Sequence, residues 1–449
     1  MNMPLFLGLF FALSTIYLII GYIASKKIKT ATDYFLAKRN LGLMPVTLTL
    51  VATQLGGGML LATSQGAYTM GIYSIVYTLG IIIGFFLLAG GFAARMRAAN
   101  VATTAELFEK KYHSPGLKKI ASLLSIAALF GILIAQVVAS RTVLVSVGVE
   151  NVALFIAFWV FIIAYTMIGG LSAVVATDIV QVLFILVLFG GLFAYALMGN
   201  PGSLSALFSN GGGTFTPGAM SSLSKILIFP ALFTLIEQDL AQRFFSAKNK
   251  QIASMSALLS GVILLLFALI PIYFGMQAKL LNIDIAPGAS PLIPVIEFLT
   301  NGFVATIALC AIAAAVTSTA DSLLCAVSSN LAQDFYFSFI GIKNKLRIAQ
   351  LLTLLTGIGA VVASFFVPLN IIDILVTSYE IAVSCLLVPL LVAYYKDDLN
   401  KYAAGSAMIA GLFGFFISRW YPIPMLNDFV PIILSAVGYI IGNQIKLKK

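Results

Sequence analysis

Charge is what this sequence has least of. Only 9% of its 449 residues are Asp, Glu, Lys or Arg, while 61% are hydrophobic. A soluble domain carries about a quarter charged residues, and so low a share cannot cover an apolar core with polar surface. The solvent of most of this chain is therefore lipid. Histidine is almost missing: the one copy, His113, lies in a charged loop without a cysteine partner, which excludes a structural zinc or haem site. The three cysteines, Cys310, Cys325 and Cys385, fall inside apolar runs and read as small buried residues rather than a disulfide framework. No nucleophile–base pair and no metal cluster stands out, so an enzyme is not expected.

What remains is a succession of apolar runs. A helix needs about 20 apolar residues to cross the hydrocarbon. Candidate spans are 4–25, 43–70, 71–92, 117–147, 151–168, 174–197, 222–244, 249–278, 303–333, 344–367, 368–394, 402–420 and 427–445. The first has no basic stretch before it and no small-residue cleavage site, so it reads as a membrane helix and not a signal peptide. The net charge of +10 does not point to nucleic acid here, because the basic residues sit in every second loop. Lys26, Lys27, Lys29, Lys38 and Arg39 follow the first span, Arg95, Arg97, Lys110 and Lys111 the third, Arg243, Lys248 and Lys250 the seventh, Lys343, Lys345 and Arg347 the ninth, Lys396 and Lys401 the eleventh. The alternate loops carry only Lys225, Lys279 and Arg419. By the positive-inside rule the amino terminus is outside and the carboxyl terminus in the cytoplasm, in the plasma (bacterial inner) membrane.

The uncharged Gly-, Ser- and Pro-rich loop 198–221 divides the chain. Five spans (43–197) precede it and five (222–394) follow, with 4–25 before them and two C-terminal spans in 402–445. Equal odd-numbered blocks cross the membrane in opposite senses, which is the arithmetic of an inverted repeat. The expected fold is an all-α membrane protein of about 13 helices arranged as 5+5 in a single transporter domain, 1–449.

Interrupted helices locate the chemistry, because backbone polar groups in hydrocarbon must be paired. Gly56, Gly57 and Gly58 lie mid-span in VATQLGGGMLLATSQG, where they either unwind the helix or let a neighbour pack closely. Pro230, in the first span of the second block, lacks an amide donor and is placed to disrupt that helix. Two such interruptions in corresponding halves mark a transport site. The ninth span concentrates oxygen in TSTADS: Thr317, Ser318, Thr319, Asp321 and Ser322. Hydroxyl and carboxylate oxygens suit a hard cation, and a carboxylate inside a span is costly and usually functional. Asp178 begins the sixth span, where a carboxylate suits the helix dipole. Glu237, Asp239, Asp373 and Glu380 also lie in apolar segments, with Arg141 and Arg243 as their available partners, and Gln136 faces either the same cavity or a neighbouring helix.

YFLAKRNLG, GGLSAVVATD, QDLAQRFFSAK and STADSLLCAVSS, spread over nearly the whole chain, resemble the sodium/solute symporter family, the last motif most specifically. The resemblance implies the leucine-transporter-type inverted-repeat fold, with sodium as coupling ion. It implies a sodium site made by Ala52 and Leu55 of the broken second helix with Ala315, Ser318 and Thr319 of the ninth. It implies a second sodium site from Asp178, Ser318, Asp321 and Ser322, with a carboxylate at 321 where two-sodium relatives carry a hydroxyl. Placement between the broken helices gives the substrate candidates Thr53, Gln54, Gly56, Gly57, Met59, Tyr77, Thr78, Gln136, Phe233, Thr234 and Glu237, with Glu380 added for an amine-bearing solute. Gly58 and Thr78 stand where sugar-carrying relatives have acidic residues, and Gln54 where proline-type relatives have an aspartate. The expected activity is sodium-coupled symport of a small organic solute by a protein working as a monomer in lipid. The alternatives are proton coupling on the same fold, or a channel or membrane sensor.

Overall fold

The computed structural model describes residues 3–26, 28–146, 151–199, 205, 217–285, 289–335, 345–367, 370–421 and 426–445. Most of the loop 198–221, and Lys343, lie outside the described residues. The helices, in chain order, are α1 (Met3–Ser25), α2 (Ala31–Leu36), α3 (Leu43–Gln54), α4 (Thr63–Met70), α5 (Ile75–Leu87), α6 (Ala93–Ala99), α7 (Glu106–Tyr112), α8 (Pro115–Ser146) and α9 (Val152–Gly199). They continue as α10 (Pro217–Phe233), α11 (Gln238–Ser246), α12 (Lys250–Leu280), α13 (Leu292–Leu299), α14 (Gly302–Asp334), α15 (Lys345–Ala363), α16 (Ile371–Tyr395), α17 (Lys401–Trp420) and α18 (Leu426–Asn443). Short α2, α7 and α13 were not anticipated: they lie in connections, where an apolar-run criterion is blind. Asparagines at 249, 301, 370 and 400 cap α12, α14, α16 and α17 by accepting a backbone N–H, each worth about 1 kcal/mol.

Among the described residues nine helices are long and apolar enough to cross a membrane, and ten if the bent pair 43–54 and 58–70 counts as one span. Thirteen separate spans are not resolved by that criterion, because one helix holds two expected spans and others are broken or short. Straight, the 48 residues of α9 would reach about 72 Å, more than twice the hydrocarbon thickness. They do not run straight. Asp321 in α14 accepts a hydrogen bond from Tyr165 at 2.7 Å, and Thr317, one turn earlier, from Gln181 at 3.0 Å. Residues 16 apart in α9 thus meet one turn of α14, which requires α9 to double back. The reversal is at Gly170, with φ 48 and ψ −151. A Cβ there would stand 2.5 Å from the Tyr34 carbonyl oxygen, so only glycine permits both the backbone angle and the close approach.

Burial separates centre from periphery. In the most apolar stretch of α14, 83% is buried, against 22% in α1. α14 therefore packs on protein on almost every side, chiefly α8 and α9, while α1 lies on the lipid-facing rim against α9. The basic connections gather at one end. Arg97 donates to the Ala247 carbonyl, Lys248 N–H to Leu41 O (2.9 Å), Leu399 N–H to Lys111 O (2.8 Å), and Lys111 pairs with Asp397. Loops that alternate in sequence therefore share a face, as the charge pattern requires. Gly170→Ala is expected to lower the melting temperature in detergent by several degrees through about 1–3 kcal/mol of backbone strain plus the clash with Tyr34. Gly190→Ala, in the same helix with nothing within 4 Å, is expected to leave it unchanged in the same thermal scan.

Candidate functional site: two broken helices around α14

α3 stops at Gln54, and the chain resumes as helix at a 57° angle. In an unbroken helix the Gly57 N–H would bond the Thr53 carbonyl; it bonds Gln136 Oε1 instead, at 3.0 Å. The freed carbonyls turn to α14. Ser318 Oγ donates to Ala52 O (3.1 Å) and Ala315 O (3.0 Å), and Thr319 Oγ1 to Thr53 O (2.9 Å) and Ala315 O (3.2 Å). The glycines allow both the break and the approach. A Cβ on Gly56 would meet Thr319 Oγ1 at 2.5 Å, and one on Gly57 would meet Ala139 at 2.5 Å. Unwinding and close packing, open alternatives in the sequence, are both present.

This set is uncharged, hard and buried. Oxygens at right angles around an ion at about 2.4 Å stand about 3.4 Å apart, by analogy with other hard cations. The hydroxyl–carbonyl separations of 2.9–3.2 Å need to open by only a few tenths of an ångström. The residues present thus fit a cation of sodium's class: Ala52, Ala315, Ser318 and Thr319 are already together, and Leu55 follows directly at the break.

The second break falls later than expected. Pro230 sits inside α10, and the helix ends at Phe233. Thr234 Oγ1 and N–H both bond Pro230 O, while Phe233 O takes the N–H groups of Ile236 and Glu237, each at 2.9 Å. Glu237, in extended conformation, then opens α11. Between the breaks lies a small, partly open polar cavity with about 20 Å³ of free space, room for about one water molecule. Thr53, Gln54, Gly56, Met59, Tyr77, Gln136 and Glu237 of the candidate list line it, joined by Gly58, Ile132, Asp239, Thr319, Leu323, Leu375 and Tyr379. Gln54 donates to Glu237 at 3.3 Å, and the Tyr77 and Tyr379 hydroxyls are 3.2 Å apart.

The profile of the sodium:solute symporter family matches residues 34–411. The chain belongs to that family. It is accordingly an integral membrane protein of a transport family, not an enzyme family. The chain is 23% identical over 473 residues to the sodium/pantothenate symporter of Haemophilus influenzae, covering 99% of this chain and 97% of that one. It is 26% identical over 430 residues to the high-affinity choline transporter 1 of Drosophila melanogaster, covering 88% of this chain and 68% of that one. A solved structure described as the substrate-bound outward-open state of a Na+-coupled sialic acid symporter superposes with a TM-score of 0.79 at 17% identity, over 99% of each chain, and so shares the fold.

Four residues expected from the sequence to touch a substrate lie outside this cavity. Phe233 stacks on Tyr379 behind the cavity wall, with centroids 4.7 Å apart. Thr78 and Thr234 bond their own helices. Glu380 points away and pairs with Lys225 (2.8 Å) and Arg419 (3.0 Å), so its charge is already balanced. Gly57 touches the site through its N–H alone.

The carboxylates expected near a second ion site do converge, with an arginine among them. Asp178 is fully buried within α9, not at an interfacial helix start. It accepts from Thr49 Oγ1 at 2.5 Å and lies 3.6 Å from Arg243. Arg243 Nη2 donates to Ser322 Oγ at 2.5 Å, Nε to Thr49 Oγ1 at 3.2 Å, and Nη1 to Asp239 O at 2.9 Å. Arg141 lies over the Phe365 ring instead. Sequence reasoning named neither Tyr165 nor Tyr379, since a lone tyrosine in an apolar run looks like packing; Tyr379 directly precedes the acidic Glu380, and that was the available cue. Breaking the buried pair with Arg243→Met is expected to destabilise by about 3–5 kcal/mol, and adding Asp178→Asn to recover part of it. Melting curves of the two singles and the double check this; a double variant no more stable than R243M would show the two are not coupled.

Proposed function

We propose that the chain is a sodium-coupled symporter of a small organic solute working by alternating access. The observation that carries this is the cross-bonding of the α3 carbonyls to the Ser318 and Thr319 hydroxyls, which gathers neutral hard oxygens beside the polar cavity between the two broken helices. Sodium at Ala52, Leu55, Ala315, Ser318 and Thr319 would pull the broken helix onto α14. Thr53 and Thr319 also line the cavity, so ion and solute order the same residues, and each raises the other's affinity. Release of the ion on the low-sodium side then loosens both.

The architecture that goes with this reading is 5+5: repeat 1 over 43–197, repeat 2 over 222–394, one helix before and two after. α9 counts as two crossings, and the broken pairs α3–α4 and α10–α11 as one each. With the basic loops cytoplasmic, the amino terminus is outside, in a plasma (bacterial inner) membrane, and the unit of transport is a monomer with lipid and solute as its partners. Asp178, Ser318, Asp321 and Ser322 form a second coupling site. Asp178 Oδ1 and Asp321 Oδ1 are buried without a hydrogen-bond partner, which supports a second sodium or, as the alternative reading, a coupled proton.

The purified protein is expected to melt at a higher temperature in sodium chloride than in equimolar potassium chloride, and Ser318→Ala with Thr319→Ala to remove the difference. In proteoliposomes the same double substitution is expected to abolish sodium-gradient-driven uptake. A sodium-specific shift surviving in the double variant would remove these oxygens from the ion site.

A further inference from the structure

We infer that the solute carries a cationic nitrogen, a protonated amine or quaternary ammonium, whose charge is met by Glu237 and Asp239. The inference rests on the symport reading of the same cavity and names the class of its cargo. It begins from the charge balance of the core. Four carboxylates, Asp178, Glu237, Asp239 and Asp321, are each at most 6% exposed, and one guanidinium, Arg243, is buried with them. Unpaired charge at this depth is costly, so the surplus carboxylates are met either by a bound cation or by a retained proton. Arg243 is committed to Asp178, Ser322, Thr49 and the Asp239 backbone. Lys225 and Arg419 are committed to Glu380, outside the cavity. The described lining contains two carboxylates and no lysine or arginine.

A second observation bears on the same pair. Asp239 Oδ2 is buried with no N–H or O–H donor, and the Asp239 carboxyl lies against that of Glu237, so two carboxyl groups meet at the cavity wall with no basic group between them. Around it the wall is aromatic: Tyr77 and Tyr379 meet through their hydroxyls, and Phe233 stacks behind Tyr379. Carboxylates beside tyrosine rings suit an organic cation, which gains from the charge and from the ring faces together. An anionic solute would meet two carboxylates with no basic side chain in the wall. The rival is a proton retained by the carboxylate pair, which would leave the cavity neutral and open to a neutral solute.

The test is a thermal-shift screen of the purified full chain, in sodium and in potassium, with small amines and ammonium compounds each paired to an uncharged-carbon isostere. The pairs include choline with 3,3-dimethylbutanol, glycine betaine with 3,3-dimethylbutanoate, and L-proline with cyclopentanecarboxylate; D-glucose and pantothenate lack the cationic nitrogen altogether. The expected result is stabilisation by at least one amine or ammonium compound and by none of the isosteres or controls. Glu237→Gln is expected to weaken that compound's binding roughly thirtyfold or more while keeping the shift produced by sodium alone. Should E237Q fail to fold, Glu237→Asp, which keeps the charge, is expected to bind the same compound more weakly with the same preference over its isostere. Stabilisation by isosteres or controls, no response to any amine, or E237Q binding the amine as well as wild type would each overturn the inference. Absence of the sodium-against-potassium shift would instead count against the symport reading, and the screen in potassium would still decide the charge of the cargo.

Discussion

A helix broken inside a membrane must hand its carbonyl groups to something other than water. Here the recipient is α14. Ser318 and Thr319 take the carbonyls of Ala52 and Thr53, and Gln136 takes the amide of Gly57. Much of the centre follows from that exchange. It fixes where α3 bends, holds α14 in the middle of the protein, and leaves oxygens clustered with the spacing a small hard cation can use.

The second constraint is charge. Arg243, wholly buried, joins α11 to α3, α9 and α14 through Thr49, Asp178 and Ser322. A pair of this kind adds little net stability against an apolar replacement, but removing one partner is expensive. Its effect is to tie the second broken helix to the same residues that hold the first. The two broken helices are thereby coupled through one guanidinium. At the far end of α10, Lys225 and Arg419 converge on Glu380 and join that helix to α16 and α17.

Several features were legible in the residues. Hydroxyls and a carboxylate in the apolar run of α14 marked a buried polar centre because their desolvation needs a reason. The triple glycine placed the first break to within a few residues. Proline was the weaker guide. Pro230 deletes one donor, which α10 absorbs while packed on α5, and the helix ends only where Phe233 O and Thr234 Oγ1 provide another way to satisfy the turn. The sequence favoured Glu380 over Asp239 as a residue for an amine-bearing solute. Only the ion pairs of the one and the unpartnered oxygen of the other separate a balanced charge from an unbalanced one.

Composition and loop charge by themselves determined that this chain lives in lipid, that its basic loops share a face, and that its polar residues gather in α3, α11 and α14. These follow from transfer energies, which each residue carries wherever it sits. Tertiary structure alone decided that α9 turns back at Gly170, that Asp178 meets Arg243 rather than the membrane surface, and that Tyr165 and Tyr379 belong to the polar centre. Those facts depend on which helices are neighbours, and helix packing is set by close approach between side chains far apart in the chain, which no local pattern records.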